Sequence, residues 1–215
     1  MDLHLSDEQR QLVDALGALY GRHASSERVR AAEPLGFDEA LWEQLVELGL
    51  VHMAVGEAHG GWGASPLDLA LAAEQQGRAV APSPALEVQA AARLLARVGA
   101  TEPLDGLLAG ARLVTLALHP ARAGRVGAVP AAAVADDAIV LDGDRLLLVP
   151  LEGRRTPFEN LGSLPLADVD LSGRGIEVLA DGPDVVTAFE AALDDWLCLT
   201  AAALVGMAAR ALEIG

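Results

Sequence analysis

"HGGWGASPLDLALAAEQQGRA", residues 59–79, decides how the first half of the chain reads. Gly60, Gly61 and Gly63 stand just ahead of a helix start, so the stretch is either a phosphate-cradling loop or the punctuation before a helix. A dinucleotide fingerprint needs G-x-G-x-x-G directly after a strand. Here the match runs Gly61-x-Gly63-x-x-Pro66 and fails at its last position, and Pro66 removes an N–H that would face a phosphate. As a helix start the same residues fit. Ser65 is an N-cap, Pro66 sits at N1 where its missing N–H costs nothing, and Asp68 at N3 completes a capping box. Gly61 and Gly63 are therefore expected to serve backbone geometry and packing, not a bound phosphate.

Outward from this stretch, the flanking segments are also helical. Ser6 and Gln9 form a capping box, followed by Leu12, Leu16 and Leu19 on one apolar face to about His23. A second helix is expected from Asp38 as N-cap, with Phe37 and Trp42 placed for a hydrophobic staple, and Gly49 stops it in a left-handed cap. The helix after Ser65 is expected to end near Gly77. Another opens with Ser83 as cap and Pro84 at N1, running through Val98 to Gly99, and a short one follows Thr101.

At Ala111 the pattern changes. "RLVTLALH", residues 112–119, reads as a strand between glycine and proline. Residues 138–151 read as a hairpin around Asp142-Gly143, a type I′ signal, and residues 169–180 repeat the theme more weakly. From Asp184 the chain returns to helix and stays in register to Gly215, so the sequence predicts a helix cut short there. Val186, Phe189, Leu193, Trp196, Leu197, Leu204, Met207 and Leu212 surround more than one side of that helix, which predicts burial by further helices or another chain.

Composition narrows the function. The 215 residues are 52% hydrophobic, which supports a buried core. A formal net charge of −16 argues against nucleic acid. There is no lysine: all 15 cationic residues are arginine, so P-loop, Schiff-base and kinase-type lysine chemistries are excluded. The N-terminus shows no basic stretch followed by an apolar one, no apolar run reads as a membrane span, and the single Cys198 builds no disulfide framework; these predict a cytoplasmic protein. Cys198 reads as a buried structural thiol, and Asp194-Asp195 as a solvated helix face. His52 and His59 flank the glycine turn without a third ligand at metal spacing, so no metal site is expected.

The residues around the glycines carry more than punctuation. Glu47-Leu48-Gly49-Leu50, Glu57, Gly60-Gly61, Gly63, Asp68, Glu74, Gly77 and Arg78, in this order and spacing, resemble the N-terminal domain of the acyl-CoA dehydrogenase family. There an E-L-G-L helix end precedes a P-E-x-x-G-G-x-G-like turn and a helix of D-x-x-x-x-x-E-x-x-G-R type; Gly56 replaces the usual proline here. "LSDEQRQL" resembles the family's first helix, and the terminal helix resembles the first of its C-terminal bundle. The resemblance implies an α+β fold in three parts: a helical domain at 1–110, a reduced β domain at 111–181, and the truncated start of a helical domain at 182–215.

It also implies FAD-dependent α,β-dehydrogenation of an acyl-CoA thioester, in which a glutamate removes the α-proton and the β-hydride passes to the flavin. The middle departs from the family. Its T-E-P-like strand end is Leu118-His119-Pro120, which makes Leu118 and His119 the candidate cofactor contacts, and the G-S-D and W-I-T or W-I-S segments have no counterpart. The family's catalytic glutamate lies in the C-terminal bundle, so no catalytic residue is assigned. Two readings follow: one subunit of an oligomeric flavin oxidoreductase, or a non-catalytic partner of a complete homologue, as in two-gene steroid side-chain dehydrogenases, that does not bind FAD by itself.

Overall fold

A computed structural model describes residues 4–33 and 35–215; the first three residues, where the helical domain and the reading of the N-terminus begin, lie outside these. The helices come first: α1 (Asp7–His23), α2 (Ser26–Ala32), α3 (Glu39–Glu47), α4 (Leu50–Met53), α5 (Pro66–Ala79), α6 (Ala85–Val98) and α7 (Thr101–Leu108). Both capping boxes form as expected, at Ser6/Gln9 and Ser65/Asp68. They also meet: Gln9 Nε2 donates to Asp68 Oδ1 at 3.0 Å, so the two helix starts brace each other. Asp38 caps α3 and binds Arg28 of α2, a helix that the sequence reading passed over because its seven residues carry little apolar periodicity.

Among the described residues, seven strands and a long helix follow: β1 (Val114–Leu116), β2 (Arg125–Val129), β3 (Asp137–Asp142), β4 (Arg145–Pro150), β5 (Arg155–Pro157), β6 (Ala167–Asp170), β7 (Glu177–Asp181) and α8 (Pro183–Ile214). They make two sheets, ordered β1-β3-β4-β7 and β2-β6-β5, with β1 and β3 parallel and the other pairs antiparallel. The fold is α+β. α8 then returns to the helical layer and packs chiefly along α5 and α6.

Several local expectations need correction. Ser83 does not cap α6. Pro84 holds the N-cap position, its carbonyl accepting from Val88 N, and the Ser83 hydroxyl is buried without a hydrogen-bond partner among the described residues. The β3–β4 hairpin forms, but its two-residue loop is Gly143-Asp144, with positive φ at Gly143 alone, which is the II′ pattern and not I′. Residues 169–180 are no hairpin, because β6 joins the three-stranded sheet while β7 pairs with β4.

α8 accounts for two more corrections. Cys198 is exposed on its outer face, since Leu199 and not Cys198 falls on the packed stripe. Asp195 is no solvated carboxylate; Arg93 Nε reaches it at 2.9 Å and Arg97 also pairs with it, tying α8 to α6. By length and composition alone α8 is long and apolar enough to cross a membrane, with 32 residues and a window of mean hydropathy 1.7. Asp184, Glu190, Asp194, Asp195, Arg210 and Glu213 interrupt it and leave Trp196 to Ala209 uncharged. Its inner face nevertheless packs on protein, through Val185, Phe189, Ala192, Leu199, Ala203 and Gly206.

The glycine turn shows why glycine stands there. A Cβ on Gly61 would lie 1.9 Å from Val55 O, and Gly63 has a φ of +63°. By contrast Gly21, inside α1 and exposed, has nothing within 4 Å of a built Cβ and no positive φ. Gly21→Ala is expected to raise stability by about 0.5–1 kcal/mol, through helix propensity alone. A denaturant midpoint that falls in this variant would contradict that assignment.

Candidate functional site

Where the helical layer meets the sheets, a groove of about 580 Å³ opens. The end of α5 and the Pro82-Ser83-Pro84 link form one side, the first turn of α6 and the middle of α8 another. Leu118 after β1, the 128–131 segment and the loop 161–166 close it from the β side. Its lining is mostly apolar, and its charged lining residues are Glu33 and Glu87, both acidic.

The backbone around it is strained. Among the described residues, five non-glycines have positive φ: Val80, Ala123, Ala128, Ala131 and Ser163. All but Ala123 border the groove. Val80 ends α5 at φ 48°, ψ 42°, a conformation costly for a β-branched side chain, and its side chain is about half exposed (51%). Backbone strain concentrated on one concave surface marks a site where geometry outranks local preference.

Glu87 is the polar group at the groove's wall. Trp196 Nε1 donates to Glu87 Oε1 at 3.1 Å, bridging α6 and α8. The residue is half-buried because it faces the open groove, yet protein surrounds the carboxyl on its other sides. This burial pushes the Glu87 carboxyl above the usual range, against the Trp196 hydrogen bond, which lowers it. The sequence reading missed Glu87, taking no note of a first-turn acid. The signal was its spacing: residues 87, 91 and 94 share one stripe, and Ala91 and Leu94 are fully buried.

The structure separates the two residues picked from the sequence. Leu118 is half-buried on the groove wall, whereas His119 is exposed at the strand end. Its ring nitrogens lie 3.2 Å from Pro120 O and 3.1 Å from Gly127 O, which holds the ring against the β1–β2 connection. His52 stacks on Trp62, and among the described residues no group of three potential metal ligands assembles.

A second concavity, of about 630 Å³, lies beside β2, β5 and β6 and contains Arg125, Arg154 and Arg155. Those cations are committed within the protein. Arg154 donates to Pro150 O and Ser172 O, Arg155 to Ala132 O and Ala135 O, and Arg125 pairs with Asp170. The apolar groove is therefore the better candidate.

Comparison with known proteins agrees with this architecture. Residues 6–109 match the family model for the acyl-CoA dehydrogenase N-terminal domain. The chain is 31% identical, over 213 residues, to acyl-CoA dehydrogenase IpdE2 of Mycolicibacterium smegmatis, covering 98% of this chain and 64% of that protein. To IpdE2 of Mycobacterium tuberculosis it is 28% identical, covering 97% and 62%. The chain thus spans under two thirds of the length of these curated relatives. Among solved structures, a variant of the Tcur3481-Tcur3483 steroid ACAD superposes with a TM-score of 0.84 at 27% identity, covering 97% of this chain and 65% of that one. The ChsE4-ChsE5 complex of Mycobacterium tuberculosis shares the fold, with a TM-score of 0.77 at 23% identity, covering 89% and 62%. Residues 6–109 thus belong to the acyl-CoA dehydrogenase N-terminal domain family, and over its length the chain is similar to these acyl-CoA dehydrogenases.

Proposed function

We propose that this chain is a cytoplasmic subunit of a heteromeric acyl-CoA dehydrogenase, that its groove takes the apolar acyl part of a CoA thioester, and that it does not hold FAD by itself. The observation that carries this is the groove's composition: apolar walls with acidic charges and, among the described residues, no cationic lining residue. Such a surface suits an uncharged hydrocarbon body and disfavours a dinucleotide's diphosphate, which would meet Glu33 and Glu87 with nothing to neutralise it. The residues present thus fit the acyl group and do not fit the whole cofactor. In this reading Leu118 walls the acyl site and His119 faces outward, toward a cofactor edge held by the partner. The parts 1–110, 111–181 and 182–215 then act as the helical domain, the reduced β domain and the helix that meets the partner.

The outer face of α8 supports a partner. Leu197, Leu204, Val205, Leu212 and Ile214 are each more than half exposed, and Cys198 lies among them. A continuous apolar stripe of this kind marks an interaction surface. The relative named as a steroid ACAD supports a bulky alicyclic acyl group as the substrate. The test is flavin absorbance of the purified chain, alone and co-expressed with a complete family member. The isolated chain is expected to be colourless and the co-purified complex yellow. Stoichiometric flavin on the isolated chain would overturn the proposal.

A further inference from the structure

The loop that joins β5 to β6, residues 158–166, is built as a separate piece, and Asn160 ties its tip together. Asn160 Oδ1 accepts from Gly162 N at 3.2 Å and from Leu164 N at 3.0 Å, while its Nδ2 donates to Leu164 O at 2.8 Å. Ser163 N closes the turn on Asn160 O at 3.1 Å. Every hydrogen bond that residues 160–164 make to a described residue stays within 160–166. The bonds that hold the loop's base lie below the tip, from Phe158 N to Leu166 O at 3.4 Å and from Ala133 N to Pro165 O at 3.1 Å. A tip braced internally and bonded to no other element is free to move as one body about its two stems.

The tip also exposes what folding ordinarily covers. Leu161 is fully exposed and Leu164 more than half exposed, and both border the groove. Across the opening, Val80 at the end of α5 and Met207 on α8 likewise keep apolar side chains in water. Four such residues around one opening gain free energy when they meet, in proportion to the area they remove from water. What holds the tip back is a contact of shape: Ser163 O rests against Gly36, where a built Cβ would stand 2.0 Å away. Ser163 keeps this position with a φ of 48°, which costs a residue with a side chain. With only water in the groove the tip would gain little by closing, because Leu161 would find no packing atoms beneath it. An apolar body there supplies them.

We propose that residues 158–166 form a lid: when an apolar acyl group fills the groove, the tip leaves its seat on Gly36 and lays Leu161 over the opening toward Val80 and Met207, which shuts water out from the bound group. This rests on the groove holding the acyl part of a CoA thioester. It assigns the loop a conformational role that the bound group triggers, and no part in the chemistry.

The test follows a thiol at the tip. Cys198 is exposed and is removed first, so the full chain carries Cys198→Ser with Leu161→Cys. Its reaction with N-ethylmaleimide is timed without and with saturating cyclohexylpropanoyl-CoA, whose binding to the wild type is measured separately by calorimetry. A lid closed about nine-tenths of the time slows the reaction about tenfold. A ligand that merely touches position 161 would protect it too, so Asn160→Ala is added. Without its brace the tip loses its shape, and protection is expected to fall below about twofold while the thioester still binds. Protection that is absent from the first variant, or that persists in full after Asn160→Ala, overturns the lid while the acyl-CoA reading stands. Failure of the thioester to bind the wild type overturns the acyl-CoA reading, and the lid with it. Should circular dichroism show that Asn160→Ala does not fold, Leu161→Cys is paired with Met207→Cys under copper–phenanthroline oxidation. The thioester must then speed disulfide formation at least about threefold, or the lid falls.

Discussion

Gly206→Ala and Gly77→Ala are each expected to destabilise the protein by about 3 kcal/mol, although alanine is the better helix former. Helix propensity would predict a gain of roughly 1 kcal/mol for each, as expected at Gly21. Contact geometry reverses the sign. A Cβ on Gly77 would stand 1.8 Å from Ala203 O, and one on Gly206 would stand 2.0 Å from Glu74 O. In both cases the obstruction is backbone of the opposite helix, which no rotamer change removes. α5 and α8 would have to move apart, opening the packed seam that Ala203 and Gly206 close. A shift of about 2–4 °C per kcal/mol for a chain of this size puts the expected fall in melting temperature at roughly 6–12 °C. Thermal melts followed by circular dichroism decide it. A variant as stable as the wild type would show that α8 does not cross α5 at this distance.

The same contact explains part of the family pattern that the sequence displayed without a reason. Gly77 belongs to the E-x-x-G-R motif, and the structure gives its glycine a packing role under α8. Gly61, in the turn motif, is likewise excluded from carrying a side chain by Val55 O. Local signals were legible: the capping boxes at Ser6 and Ser65, the left-handed stops at Gly49 and Gly99, and the β3–β4 hairpin all follow from short-range chemistry.

What could not be read is what depends on distant pieces meeting. Trp196 and Glu87 are 109 residues apart, and Arg93 and Asp195 are 102 apart. No periodicity links such pairs. The inner and outer faces of α8 look alike in sequence, because both are rich in Ala and Leu. Only packing against α5 and α6 decides that Leu199 is covered and Cys198 is not. The assignment of β6 and β7 to different sheets is a tertiary choice too, since each strand alone has the same short apolar pattern. The strain at Val80, Ala128, Ala131 and Ser163 has no sequence signature, because none of these residues favours a left-handed backbone.

Arg112→Met is expected to cost about 3 kcal/mol at neutral pH, because it strips the counter-charge from a buried carboxylate. Asp137 opens β3 with its side chain fully covered, and Arg112 Nη2 lies 2.5 Å from its Oδ2. Among the described residues, no donor besides Arg112 reaches either carboxyl oxygen of Asp137. Burial pushes this carboxyl above the usual aspartate range; Arg112 opposes that, while Asp136 and Glu102 add to it. Arg112 is itself 38% exposed, so water screens the pair in part and the cost belongs at the lower end for broken buried pairs.

The pH dependence has a definite sign. A carboxyl whose pKa is higher folded than unfolded binds more protons in the native state. Its contribution is therefore most favourable below the unfolded value of 3.8 and is lost as pH rises through the folded value. Removing Arg112 raises the folded value further. The deficit of the variant relative to wild type should then be small near about pH 4 and grow to its full size by about pH 7. Adding Asp137→Asn to Arg112→Met removes the charge and should recover most of the loss, with the remaining pH dependence gone. Urea midpoints for the four proteins of this cycle, measured across that range, check both statements. A deficit that is the same at acid and neutral pH would mean that Arg112 acts through packing of its stem, and that Asp137 is not held charged by it.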